Sequence, residues 1–262
     1  MSETAGEGRY IYSVVKADIE SNLGDVGIEN SNVYLVPNRD IAAVVHSCVA
    51  EPYTTHDDEK AKEWVLEHSY VIDCATNRFG TVLPISFDVI VAGDDDVVKD
   101  WLEDNYDFLK DELERVKDKA EYSVLIFCDE GQMADRIVSG NPELLKLKEN
   151  IETMPKGTAY LYRRKFELKT KKELSEQVFK LAKDFSAEIR ELVDSIKIEK
   201  KVSLVPEKYR GKMLVAALTC LVHHDRVEVL GNLLEEIDKR EGLSVRFTGP
   251  WAPFSFVQLK DT

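Results

Sequence analysis

The sequence is poor in the features that mark most enzymes and targeted proteins. Its four cysteines, Cys48, Cys74, Cys128 and Cys220, form no C-x-x-C pair. That removes a thioredoxin-like redox motif and predicts reduced, mostly buried thiols in a cytoplasmic chain. The 13 glycines are dispersed, so there is no Walker-type phosphate loop and no G-x-G-x-x-G after a strand. A G-x-S-x-G elbow, an H-E-x-x-H pair and an EF-hand loop are also missing. The longest apolar runs, Ile41–Val45 and Met213–Val222, fall far short of the roughly 20 residues a spanning helix needs. Met1–Gly8 is polar and acidic, without the basic and apolar regions of a secretory signal. Positive charge is outnumbered: 35 Lys and Arg face 49 Asp and Glu, a net charge of −14. Such an acidic surface repels phosphate backbones and anionic membranes, so neither nucleic acid nor a membrane is the expected partner.

What is present is a well-patterned mixed α and β chain of 262 residues with 44% hydrophobic residues. Residues 9–49 read as strands and turns, with Tyr10, Tyr12 and Val14 alternating against Ile11, Ser13 and Val15. Pro37-Asn38-Arg39-Asp40 separates two apolar runs and predicts a hairpin. A helix is expected to start near Thr55–Asp58, with Ala61, Trp64, Val65, His68 and Ile72 at helical spacing. Val82–Val91 is extended. Asp94–Asp96 then caps a helix whose stripe runs Val98, Leu102, Tyr106, Leu109, Leu113 and Val116. Glu121–Cys128 predicts a strand, and a domain boundary falls just before it. Gly131–Pro155 reads as short helices or loop.

From Gly157 to Ser195, strand propensity at Tyr160–Phe166 competes with a strict helical stripe of Leu174, Val178, Leu181, Phe185, Ile189 and Leu192. The stripe extends back to Ala159, which favours one long helix. Ile196–Leu204 and Met213–Val222 predict two strands, Arg226–Glu241 a helix and Leu243–Phe247 a last strand. The expected fold class is therefore α+β in two domains. Residues 1–119 form an N-terminal mixed α+β domain, and residues 120–262 follow the β-α-β-β-α-β order of a ferredoxin-like domain with a long helix.

No set of residues converges on catalysis, a cofactor or a metal. Cys220, His223 and His224 are the nearest approach to zinc ligands, but Cys220 is expected inside a strand and adjacent histidines diverge on one backbone. Cys48 and His46 share a strand face, as packing rather than as a nucleophile and its base. Two segments stand apart. Lys156–Lys172 carries seven cations, Arg163, Arg164 and Lys165 among them, against Glu167 alone. Its net +6 reads either as a solvated face paired with acidic surface or as a docking patch for an acidic partner, another copy of the chain included. Near the C-terminus, Phe247, Trp251, Phe254 and Phe256 cluster around two prolines and Gly249. They read either as a clasp closing the core or as a rigid apolar contact surface.

Phe247-Thr-Gly-Pro-Trp-Ala-Pro-Phe-Ser-Phe-Val257 resembles the closing motif of the gas vesicle protein F/L family, T-G-P-W-P-P-Y-x-F. Ala252 stands in place of a proline and Phe254 in place of a tyrosine. Tyr10–Val15 and Ile41–Val45 resemble early strands of that family, and Ala120–Ile126 resembles the strand opening its second domain. Thr81-Val-Leu-Pro-Ile-Ser-Phe87 resembles its V-L-P-x-x-F-G element, with Asp88 at the glycine. The resemblance implies a non-enzymatic accessory or minor structural role in gas vesicles, the buoyant protein shells of aquatic microbes. It implies contact with the very hydrophobic shell protein and other accessory gas vesicle proteins, two α+β domains with a modified ferredoxin-like second one, and a gas vesicle-associated place in the cytoplasm. It implies no catalytic residue, cofactor or metal. Phe247, Trp251, Phe254, Phe256, Arg163, Arg164 and Lys165 are the candidate partner-binding residues. The competing reading is a ferredoxin-like small-molecule-binding protein or enzyme, since that fold hosts many functions.

Overall fold

The computed structural model describes residues 6–200 and 205–257. The chain divides into two compact units, Met1–Glu121 with Pro250–Thr262, and Tyr122–Gly249. The closing segment thus belongs with the N-terminal unit, not with the second domain where the sequence boundaries place it.

In the first unit, strands β1 (Glu7–Val15), β2 (Asn22–Gly24), β3 (Val33–Asn38), β4 (Ile41–Val49), β5 (Val82–Pro84) and β6 (Ile90–Ala92) form one sheet. Its order is β2-β3-β4-β1-β5, and β6 also pairs with β1. The β3–β4 hairpin forms at the expected turn, with Asn38 paired to Ile41 and Arg39 at φ +56°. β1 is central, which explains why almost every residue in it is buried. Its alternation does not hold throughout. The register against β4 slips between Ile11 and Ser13, and a bulge of this kind re-aims the side chains beyond it. Tyr10, Tyr12 and then Val15, rather than Val14, enter the cluster with Val44, Leu35, Trp64, Val71 and Ile72.

Helix α1 (Asp58–Phe79) supplies Trp64, His68, Val71, Ile72 and Ala75 to that core. Asp57 caps it by accepting from the N–H groups of Glu59 and Lys60. The stripe expected as one helix from Val98 to Val116 is two: α2 (Asp95–Asp104) and α3 (Tyr106–Val116). Asn105 breaks it at φ −110°, ψ 8°. Its side-chain amide donates to the Trp101 carbonyl at 2.9 Å, the local competition that disfavours asparagine inside helices. The apolar period survives because the break costs no residue. Val98, Leu102, Leu109 and Leu113 are all buried.

In the second unit, β7 (Lys119–Cys128), β8 (Ser195–Ile198), β9 (Met213–His223) and β10 (Leu243–Trp251) lie in the order β10-β7-β9-β8. The first strand of the unit sits between the fourth and third, with the second at the edge, the interleaved order of a split βαβ sheet. Helices α4 (Glu130–Gly140), α5 (Pro142–Thr153) and α6 (Lys156–Arg190) connect β7 to β8, and α7 (Val227–Asp238) connects β9 to β10. α6 is one helix of 35 residues, about 52 Å long; helical period overrides strand propensity at Tyr160–Phe166. The strand expected to Leu204 is described only to Ile198; Lys201–Leu204 lie outside the described residues. Among the described residues, no helix is long and apolar enough to cross a membrane.

Candidate interaction surfaces

The most elaborate polar cluster is buried beneath α1. Tyr10 Oη lies 2.9 Å from His68 Nδ1 and accepts from the Asp88 N–H. Tyr12 Oη lies 2.8 Å from His46 Nδ1 and accepts from the Ile28 N–H. His68 Nε2 is 3.1 Å from the Ile85 carbonyl, and His46 Nε2 is 3.1 Å from Tyr53 Oη. One proton assignment satisfies both histidines, Tyr10 and Tyr12: each of these tyrosines donates to a histidine Nδ1, and each Nε2–H donates onward. Both histidines are therefore neutral. Burial pushes each down to about 4, a fall that the Ile85 bond partly offsets for His68. Burial likewise raises both tyrosines above their ordinary range. The rings stack, tilt or meet edge-on at 4.8–5.7 Å. A closed, satisfied network of this kind holds α1 to the sheet.

Cys220 with His223 and His224, the nearest approach to zinc ligands in the sequence, is not the group that comes together. Cys220 is buried in β9, and the groups close enough to share an ion are His223, His224 and Asp225, the last two exposed. His223 Nδ1 accepts from the Asp225 N–H, an end-of-strand cap. Asp94 caps α2 by accepting from the Asp96 N–H at 3.1 Å. Of the four free thiols, Cys128 and Cys220 are buried, whereas Cys48 and Cys74 are half-buried.

The closing segment is a corner with two kinds of face. Gly249, at φ +138°, and Pro250 lie in the last residues of β10, which ends at Trp251. Ala252, Pro253 and Phe256 are then buried. The Pro253 carbonyl accepts from the N–H groups of Phe256 and Val257. Glu121 accepts from the Ser255 N–H at 2.7 Å and from its hydroxyl at 2.8 Å. Arg115 donates to the Phe256 carbonyl at 2.6 Å. Trp251 and Phe254 stay 54% and 41% exposed, with the Phe254 ring 6.4 Å from that of His68. Trp251 walls a shallow cavity of about 260 Å³ with Asp73, Thr76 and Asn77 of α1 and Lys119. The segment thus buries Ala252, Pro253 and Phe256 and leaves Trp251 and Phe254 exposed.

Residues 8–258 match the family described as gas vesicle synthesis protein GvpL/GvpF. The chain belongs to this family. It is 29% identical to gas vesicle protein L1 of Halobacterium salinarum over 257 residues, covering 97% of this chain and 91% of that one. It is 29% identical to gas vesicle protein L of Haloferax mediterranei, covering 88% and 72%. Its fold matches the crystal structure of GvpF from Anabaena sp. PCC7120 with a TM-score of 0.74 at 18% identity, over 97% of this chain and all of that one. The GvpF structure from Microcystis aeruginosa gives 0.65 at 17%, over 96% and 99%. The mixed α+β fold is shared with both.

For a GvpL/GvpF chain, the departure at Asp88 has a clear physical basis. Asp88 sits at φ +68°, where glycine is at ease and most side chains are not. Its carboxylate repays the conformation by accepting from the Tyr53 N–H at 2.9 Å.

The seven candidate residues are divided between the two units. Phe247 lies in β10 and stacks on Tyr122 at 5.0 Å in the second unit. Phe256 is buried, while Trp251 and Phe254 are exposed in the first unit. Arg163, Arg164 and Lys165 are exposed on α6. The sequence reading did not single out the apolar residues around those cations. Leu161, Leu168 and Phe179 are 68%, 56% and 73% exposed. Their phase, offset from the buried stripe of Leu174, Phe185 and Ile189, is the signal that could have found them.

Proposed function

We propose that this chain is a non-enzymatic accessory or minor structural protein of gas vesicle assembly that binds the hydrophobic shell protein, other gas vesicle proteins, or both. The carrying observation is the family match from residue 8 to 258. The corner at Trp251 supports the binding surface. Its backbone is fixed by Pro250, Pro253 and the Glu121 and Arg115 bonds, so exposed aromatics are presented with little ordering cost. A shell subunit with apolar surface and open strand edges aggregates alone. Covering that surface with a partner of charge −14 keeps the complex dispersed by repulsion.

Co-expression with the shell protein tests the reading. The expected result is more shell protein in the soluble fraction and its recovery with this chain. Unchanged solubility together with no recovery rejects it. Trp251→Ala is expected to weaken recovery while leaving circular dichroism unaltered. Fractionating washed vesicles separates the two roles: a chain that stays attached is a shell component, and one that washes away is an assembly factor.

A further inference from the structure

We propose that copies of this chain associate head to tail, the basic apolar face of α6 in one copy seating the acidic apolar face of α1 in the next. The inference concerns self-association and does not depend on shell-protein binding.

From Tyr160 to Glu173 no residue of α6 is buried. At about 100° per residue, Leu161, Leu168, Phe179 and Ala182 fall within one arc of about 60°. Arg164, Lys165, Lys172, Lys183 and Arg190 share the surrounding sector; the carboxylates nearest it are Glu176 at its margin, 3.7 Å from Lys172, Glu167, 3.6 Å from Arg164, and Glu199 in the groove beyond. The face runs about 44 Å from Leu161 to Arg190. At its C-terminal end a groove of about 480 Å³ opens between Phe179 and Ile198, floored by small residues such as Ala182, Ser186, Ala187 and Ala217. Small residues at such a place leave a hole for a large apolar side chain.

The chain also contains the complement. Opposite its buried stripe, α1 presents Glu59, Glu63, Leu66, Tyr70, Asp73 and Asn77 within an arc of about 80°. Leu66 and Tyr70 are 69% and 57% exposed, and no cation falls in the arc. Glu59 engages the exposed Lys62 at 2.6 Å, a pair that costs little to exchange, and Glu63 engages the half-buried Lys60 at 3.1 Å, which also pairs with Glu29 at 3.3 Å. Knobs at Leu66 and Tyr70 fit the α6 face as a helix in a groove, and the flanking charges set the pairing. Anionic lipid is the weaker occupant for the α6 face, because the net charge of −14 opposes approach. The two patches differ, so the contact is heterologous and propagates along a row or closes into a ring.

Sedimentation velocity of the full chain is the test, from micromolar to on the order of 100 μM. The expected result is a sedimentation coefficient that rises with concentration. Lys165→Glu/Lys172→Glu and, separately, Glu59→Lys/Glu63→Lys are each expected to weaken self-association about tenfold or more while retaining wild-type circular dichroism. Mixing the two charge-reversed chains is expected to restore a complex. A wild-type chain that stays monomeric throughout overturns the proposal, and so does association that neither reversal changes. Binding of the monomer to phosphatidylserine vesicles through the same lysines, without self-association, also overturns it. Glu59 and Glu63 are not among the residues around Trp251, whereas Asp73 and Asn77 belong to both surfaces, so the Glu59 and Glu63 reversals are expected to leave shell-protein recovery no weaker than in the wild type.

Discussion

Two buried histidines make the fold pH-sensitive in a definite direction. An unfolded histidine takes up its proton near 6.5, whereas His46 and His68 in the fold do so only at about 4. Between those values the unfolded chain holds more protons. Stability therefore falls as pH drops from about 6.5 to about 4 and is insensitive to these groups below that. The expected loss is on the order of 3 kcal/mol per histidine. It is measured as a urea midpoint that moves down between pH 7 and pH 4.5, and a midpoint constant over that interval contradicts the neutral network. Asp88 gives a second residue-scale prediction. Asp88→Ala keeps the strained φ of +68° and loses the Tyr53 bond, so it is expected to cost about 1–3 kcal/mol. Asp88→Gly loses the bond but relieves the strain, and its urea midpoint is expected to lie closer to wild type.

At the scale of elements, caps and breaks decide where helices begin and end. Asp57 satisfies two N–H groups at the start of α1, and Asp57→Ala is expected to cost about 1 kcal/mol, read as a lower thermal midpoint. The sequence shows this cap, the β3–β4 turn and the single long α6, because each depends on local chemistry or on period. It does not show that the 98–116 stripe is interrupted. Asn105 leaves the apolar spacing intact, so the periodicity of Val98 to Val116 is the same with or without the break. Nor does it show the bulge in β1, which arises from pairing with β4 and turns Val15 rather than Val14 toward Trp64.

For the whole molecule, the distinction that matters is between anchoring and presenting aromatics in the closing segment. Phe256 is buried in the first unit, although it stands more than a hundred residues after the rest of that unit. Phe256→Ala is expected to destabilise by about 3–5 kcal/mol, seen as lost near-ultraviolet circular dichroism at elevated temperature. Trp251→Ala is expected to leave stability nearly unchanged. If both variants unfold alike, the corner is a clasp alone. Charge is also unevenly distributed, with +6 in Lys156–Lys172 and −20 in the remainder. That contrast gives association of this chain its expected dependence on ionic strength.

By itself, the sequence determines the α+β class, the order of the longer elements, the lack of recognisable catalytic motifs and the closing motif that marks a GvpL/GvpF chain. These follow from period, turn chemistry and short-range spacing, which one strand or helix expresses on its own. Only the tertiary structure decides that residues 250–257 return to the first unit, that Phe256 is covered while Trp251 is not, and that Asp88 occupies a left-handed turn beside Tyr53. Each of these depends on contacts between residues 35 to 141 positions apart. Burial and backbone pairing set such contacts when the chain closes, and no local pattern carries them.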